Sequence, residues 1–415
     1  MKTYKNNSIC TLAVCLVLTL NLLTGAAQAE TIRQFGHRRG SAGMWLKRDR
    51  PFFDGAAPVN RRGDIEASHT TTVTTAEVSA RSCYTVIDLG GFTGEAVTES
   101  DAISGYSLTP EGYLRATFWP NSRAQGIDLG TLPGFPGSFA SMSNPSGQIV
   151  GFSGDGSIDR PVFWANPNTG PMELAGVPSD LSGQAYDINP RGQIVGQVYN
   201  DDFSIQRPVL WNSSNSALVY LPQMSSEFPR SLASSINNAG NILGDECALD
   251  NVHCHAAFWA SSTSSPVALA PPGGEFIYTD IVFQHAINNA GNMIGYAFNA
   301  DYTVQRGVYW ASSTSPAVLL STAPNEFPIF LSGSINEHRE IVGEIFNADF
   351  TDSHALLWRS PTSQGIDLNT LIPADSGWVL LGAHGINNRG EIVGRGRLNG
   401  IRHAFLLIPV HGSSN

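Results

Sequence analysis

Glu95, Tyr186, His285 and His384 occupy one equivalent position in four copies of an internal repeat, two residues ahead of the site where most copies carry isoleucine and begin an Asn-x-x-Gly motif. The other copies hold Ser141, Ser234 and Gly333 there. A carboxylate, a phenol and two imidazoles at one recurring position could together read a polar ligand, so these four are the candidate ligand-binding residues. No catalytic residue is assigned. The chain has no Gly-x-Ser-x-Gly elbow, no His-Glu-x-x-His pair, no phosphate-binding glycine loop and no cysteine in an activating setting.

A second group with chemistry is Cys247 and Cys254, seven residues apart across one strand-to-strand turn, with His253 and His255 flanking Cys254. Two strands of a hairpin can bring cysteines to bridging distance, and an exported chain meets an oxidising compartment, so a Cys247–Cys254 disulfide is expected. The alternative is a zinc site of the Cys/His type. Against it, His255 belongs to a column that other copies fill with Arg or His, and adjacent residues on a strand point to opposite faces. No metal and no cofactor are therefore expected. Cys83 is left over. The turns around Asn200-Asp201-Asp202 and Asn299-Ala300-Asp301 lack the glutamate that closes a calcium loop and read as hairpin tips.

The most regular polar column is Arg115, Arg160, Arg207, His255, Arg306, His354 and His403. It could be a cationic ring facing an anion. The reading preferred here is structural: each residue starts a strand, and in four copies the antiparallel neighbour offers an acid, pairing Arg115 with Asp128, Arg160 with Glu173, His354 with Asp367 and His403 with Asp88.

These residues are carried by a repeat of about 48 residues. A glycine recurs at 105, 151, 196, 244, 295, 343 and 394, and an apolar run thirteen to fifteen residues later ends in Trp119, Trp164, Trp211, Trp259, Trp310 and Trp358, with Leu407 last. A further apolar segment follows, as in Ile127-Asp128-Leu129-Gly130 and Ile366-Asp367-Leu368. Each copy thus holds four short strands separated by turn residues, with one aromatic to fill the wedge between neighbouring sheets. Asn-Asn-x-Gly between apolar runs supplies residues that tolerate positive φ. A period of this size belongs to propeller blades or stacked repeats.

The order of segments indicates closure. Val86-Ile87-Asp88-Leu89-Gly90 precedes any first motif, and the chain ends on the tryptophan-type strand Ala404-Phe405-Leu406-Leu407. The N-terminal strand can complete the last blade, removing both edges. The expected fold is all-β, a seven-bladed β-propeller of four-stranded repeats closed by an N-terminal strand.

The motifs Ile-Asn-x-x-Gly-x-Ile-Val-Gly, Asp-Leu-Gly-Thr-Leu and His403-Ala404-Phe405, with the variants His255-Ala256-Ala257-Phe258-Trp259 and His354-Ala355-Leu356-Leu357-Trp358, resemble the bacterial extracellular HAF repeats, named for His-Ala-Phe. The resemblance spans residues 84 to 410. It implies a secreted or cell-surface repeat protein and brings no catalytic residues.

The N-terminus agrees with export. Lys2 and Lys5 precede an apolar stretch from Ile9 to Leu23, and Ala27-Gln28-Ala29 forms a small-x-small cleavage site, giving a signal peptide over 1–29. Residues 30–82 hold nine basic and six acidic residues with a threonine-rich end, and read as a disordered linker or pro-segment. Residues 83–410 form the repeat domain, and 411–415 a short tail. From residue 83 onward 13 arginines face 29 acids, a net charge of −16, which argues against nucleic acid or an anionic membrane as partner. No membrane span is expected in the mature chain, and a closed ring needs no second copy, so a monomer is expected. The functional expectation is a secreted binding module for an extracellular ligand, a glycan or envelope protein. The alternatives are a propeller hydrolase acting on extracellular polysaccharide through funnel carboxylates, and a purely structural envelope protein.

Overall fold

The computed structural model describes residues 83–249, 253–281, 285–322, 329–347 and 351–410; the expected signal peptide, linker and tail lie outside the described residues. These residues form strands and turns with no α-helix, and no helix among them is long and apolar enough to cross a membrane.

The strands fall into sets of four, each an antiparallel meander. β1 (Tyr84–Gly90) stands apart in sequence. β2 (Thr93–Val97), β3 (Ile103–Leu108), β4 (Leu114–Trp119) and β5 (Ile127–Asp128) make the first set. β6 (Gly137–Ser143), β7 (Ile149–Gly154), β8 (Asp159–Trp164) and β9 (Met172–Glu173) make the next. β10 (Ser182–Ile188), β11 (Ile194–Tyr199), β12 (Gln206–Trp211) and β13 (Leu218–Tyr220) are linked to β14 (Arg230–Ile236), β15 (Ile242–Cys247), β16 (Cys254–Trp259) and β17 (Val267–Ala268) by one parallel bridge, Gln206 to Arg230. β18 (Phe276–Ile281), β19 (Met293–Asn299), β20 (Gln305–Trp310) and β21 (Val318–Leu319) follow, then β22 (Ile329–Ile335), β23 (Ile341–Phe346), β24 (Ser353–Trp358) and β25 (Ile366–Asp367). The last sheet runs β1, β28 (Ile401–Pro409), β27 (Ile392–Leu398), β26 (Trp378–Ile386), so the first strand among the described residues is the fourth strand of the last set.

The third strand of every set but the last, where Leu407 stands, ends on a tryptophan because the wedge between sets widens outward and needs bulk. All six tryptophans are fully buried, and each indole N–H donates to a carbonyl of the preceding set: Trp164 to Leu129 at 2.8 Å, Trp259 to Pro222 at 2.7 Å, Trp358 to Ser321 at 2.7 Å. Trp119 follows the same rule by donating to Leu89 at the end of β1, 2.8 Å away.

The motif asparagines do more than turn the chain. Asn237 Oδ1 accepts the N–H groups of Ala239 and Asn241, both at 3.0 Å, while the turn's positive φ is taken by Gly240. Its Nδ2 reaches out of the set to the carbonyl of Asn288, 3.2 Å away. The same bond joins Asn144 to Asn189, Asn189 to Asn237, Asn288 to Asn336 and Asn336 to Asn387. Asn387 continues the series across 289 residues of sequence to the carbonyl of Thr98, at 3.0 Å. All six asparagines are buried. A parallel line runs through the next residue, whose backbone N–H donates to the side chain of its counterpart: Asn238 to Asn289, Asn289 to Glu337, Glu337 to Asn388 and Asn388 to Glu99.

Replacing Asn237 by alanine deletes the bond to the next set and takes the acceptor from the Ala239 and Asn241 N–H groups of its own turn. We expect a loss of about 2–3 kcal/mol in the free energy of unfolding, measured by chemical denaturation. Asn238→Ala, at an exposed neighbour that keeps its backbone bond, should change it by less than about 0.5 kcal/mol.

Candidate functional site

Five of the seven positions of the sequence-predicted ligand column are β-bulges on the first strand of their set, whereas Gly333 pairs with Gly343 and His285 lies outside β18. The pairing register skips Glu95 on β2, Ser141 on β6, Tyr186 on β10, Ser234 on β14 and His384 on β26. A bulge leaves one residue unpaired and re-aims its side chain. It also kinks the first strand inward, and that explains the glycine column. A β-carbon at Gly105, Gly151, Gly196, Gly244 or Gly394 would overlap a first-strand carbonyl oxygen, that of Thr93, Phe139, Gln184, Leu232 or Gly382 respectively. Only glycine leaves room for that approach. Counting two residues along a strand to share a face therefore fails at this column, because the extra residue shifts the alternation.

Two of the four candidates meet. The His384 imidazole lies between two carboxylates: Nδ1 is 3.4 Å from Glu95 Oε2, and Nε2 is 3.4 Å from Glu344 Oε2. Glu344 comes from β23 and is also bonded by Arg395 of β27. Three sets thus contribute to one cluster. Side-chain exposure is 12% for Glu95, 11% for His384, 5% for Glu344 and 16% for Arg395, so the group is sheltered. Gly382 makes the approach possible, since a β-carbon there would stand 2.5 Å from Glu344 Oε2 and 3.1 Å from His384 Nε2. Arg402 of β28 completes the surroundings, with its guanidinium carbon 3.9 Å above the centre of the Phe92 ring.

The charges in this cluster are held fixed. Burial alone would lower the His384 value, but the Glu95 charge and the hydrogen bond to Glu344 raise it from 6.5 to about 9. Burial would raise the Glu344 carboxyl, yet Arg395 and His384 outweigh it and hold the group below its ordinary range. Arg402 is lowered to about 10, first by burial and then by the neighbouring Arg395. At neutral pH the cluster is therefore an imidazolium and two guanidinium groups against ionised carboxylate. An imidazolium that keeps its proton to pH 9 is a poor general base.

The other two candidates sit elsewhere. Tyr186 is buried, donates its hydroxyl to Gln184 Oε1 at 2.6 Å and is bonded by Gln197, in a network that reaches Asp159 through Gln184. His285 is half-buried at a φ of 43°, its carbonyl accepting from the Ile335 N–H; its charge faces buried Asp187, whose carboxyl is raised chiefly by burial. Glu344 and Arg395 were missed by the sequence reading. Both stand directly after the repeat glycine, in a column that varies as Tyr106, Phe152, Gln197, Asp245, Tyr296, Glu344 and Arg395. In the same column, Asp245 faces Asp280 of the neighbouring set; burial raises both carboxyls, and the Tyr296 hydroxyl donates to Asp280 at 3.2 Å.

Cys247 and Cys254 are directly paired across β15 and β16 and joined in a disulfide, S–S 2.05 Å. With both sulfurs so engaged, neither is a thiolate ligand, and the flanking rings turn to different neighbours, His253 to Tyr278 and His255 to Phe228. The basic column behaves as cross-strand pairs: Arg115 to Asp128 at 3.2 Å, Arg160 to Glu173 at 3.8 Å, His354 to Asp367 at 2.6 Å and His403 to Asp88 at 2.8 Å.

No family model matches the chain, and no curated protein matches it. Its backbone is similar to an oligogalacturonate lyase from Vibrio parahaemolyticus, with a TM-score of 0.53 at 9% identity over 80% of this chain and 92% of that one. It is also similar to YCF48 bound to a D1 peptide, with a TM-score of 0.51 at 8% identity over 80% and 97%. Both are propellers. The fold is a β-propeller. At such identity the likeness speaks to the propeller fold alone.

The fixed charge has a pH signature. His384 binds its proton more tightly folded than unfolded, so its contribution is complete below about pH 6.5 and is lost as pH rises through about 9. Glu246, pushed by burial to about 7, produces a separate fall between about pH 4.5 and 7. Unfolding measured from pH 6.5 to 9.5 should lose up to about 3 kcal/mol, and His384→Gln should flatten that limb while sparing the acidic one.

Proposed function

We propose that this chain is a secreted or cell-surface propeller of seven blades, closed by β1, that acts as a binding module through the His384 cluster. The seven-fold sets of strands, the Asn387–Thr98 bond and the His403–Asp88 pair support closure. The charged Lys2–Lys5 start, the apolar stretch and Ala27-Gln28-Ala29 support export, and His403-Ala404-Phe405 supports membership of the HAF repeats.

The observation that carries the binding role is the His384 imidazolium fixed between Glu95 and Glu344 at the meeting of three blades. Preorganised charges recognise a ligand without reorganising. They do not shuttle protons. A polysaccharide hydrolase needs one carboxyl that keeps its proton beside one that does not. Glu344 is held ionised, and the carboxyls that are raised, Asp187, Asp245, Glu246 and Asp280, are buried in other sets. The ligand class favoured is a glycan or an exposed segment of an envelope protein, bearing groups that pair with both signs of charge.

The test uses the full chain against a panel of neutral and acidic oligosaccharides and envelope-derived peptides, with binding and product release followed together. The expected result is saturable binding without turnover, weakened roughly tenfold or more in His384→Gln and Glu95→Gln, as for loss of a charged hydrogen bond. Release of shortened saccharide that depends on Glu344 would overturn the binding reading in favour of hydrolysis.

A further inference from the structure

A cavity of about 350 Å³ lies between the end of β1 and the outer half of the first set, away from the His384 cluster. Its walls are polar where the equivalent walls are not. Thr117 lines it, while the same position of the other sets carries Val162, Val209, Ala257, Val308, Leu356 and Phe405. Ser107 lines it from β3, and among the sets only this one has hydroxyls at both positions.

The room is made by two glycines. A β-carbon at Gly126 would stand 2.6 Å from Thr117 Cγ2 and 2.9 Å from Trp119 Nε1; one at Gly91 would stand 2.7 Å from Trp119 Cζ2 and 2.9 Å from Ser107 Oγ. With both glycines in place their backbone packs against the buried Trp119 indole, and the exposed Leu108 side chain supplies the apolar wall of the cavity.

The polar groups are arranged for hydroxyls. Thr117 Oγ1 lies 2.9 Å from the Arg115 carbonyl and 3.0 Å from Ser107 Oγ. A carbonyl can only accept, so the Thr117 proton is committed there, which leaves the Ser107 proton to donate to Thr117 or to an entering group. At the rim Arg115 Nε sits 3.2 Å from Asp128 Oδ2, with side-chain exposures of 27% and 53%. A neutralised ion pair gains little from a charged ligand. A vicinal diol can use it fully, donating to the carboxylate while accepting from the guanidinium.

We propose that this cavity is a second binding site, taking a neutral hydroxyl-rich ring of monosaccharide size, with its C–H face on Leu108 above the buried Trp119 and its hydroxyls on Ser107, Arg115 and Asp128. The volume stands near the lower end of ligand pockets, about 300–1,000 Å³, which suits one ring and excludes a chain. The site is independent of the His384 cluster and of the function proposed for it.

The probes are glucose, galactose and mannose, with galacturonate and glycerol as comparisons, titrated into the full chain while the Trp119 indole resonance is followed by NMR. A neutral pyranose should shift that resonance saturably. Thr117→Val and Gly126→Ala should weaken it roughly tenfold, the first because it restores the valine other sets carry, with thermal unfolding as the check on folding. His384→Gln should leave the titration unchanged, which separates this site from the cluster. The proposal fails if no pyranose gives a saturable shift, if glycerol or galacturonate binds as well as the neutral sugars, or if a folded Thr117→Val binds like the parent.

Discussion

A buried side-chain amide must find an acceptor, and in this propeller it finds one in the next set. Six asparagines each spend Oδ1 on their own turn and Nδ2 on the carbonyl of the following asparagine or, at the last step, of Thr98. Because an unsatisfied buried donor costs about 1–3 kcal/mol, the geometry of one turn dictates the placement of the next. That requirement sets the angle between sets, and the tryptophan wedges and cross-strand ion pairs then fill a spacing already decided.

Within a set the controlling constraint is steric. The bulge on the first strand drives a carbonyl against the second, and the glycine column is the mark of that approach. The extra residue escapes the ladder, so its identity is released from the demands of pairing. Glu95, Tyr186 and His384 differ at one position for that reason, while the residue after the glycine differs because it faces the neighbouring set. The His384 cluster arises where these two variable columns meet.

Much of this was legible in the residues themselves. The period, the four strands per copy, the offset of β1 and the pairs His403–Asp88 and Arg115–Asp128 all follow from local patterns repeated in register, and repetition averages out the ambiguity of any one segment. The convergence of Glu95 and His384 was half visible: their column was, but their union through Glu344 was not. That union depends on a bulge, which alternation cannot reveal, and on a glycine at 382 that merely leaves space. The outward reach of the motif asparagines was hidden for another reason. Asparagine suits a hairpin tip on its own account, so the local explanation was sufficient and concealed the second role.

Thr98 occupies the first of these positions, and its hydroxyl accepts from the N–H groups of Ser100 and Ala102 as an asparagine would. It has no amide to send onward. The joint between the first two sets is packed instead by Tyr106 against Phe139 and Phe139 against Phe152, with centroids 4.5 and 5.3 Å apart. The series of amides therefore has a beginning, and it lies one set past the sheet in which β1 pairs with β28. At that joint the chain runs from β5 to β6 with no such amide beside it, whereas the joint between the last set and the first has both the backbone from β1 to β2 and the Asn387–Thr98 bond. A circular permutation that joined the old ends and cut the loop between β5 and β6 would remove both ties from a single joint, whereas a cut in any later connection would still be spanned.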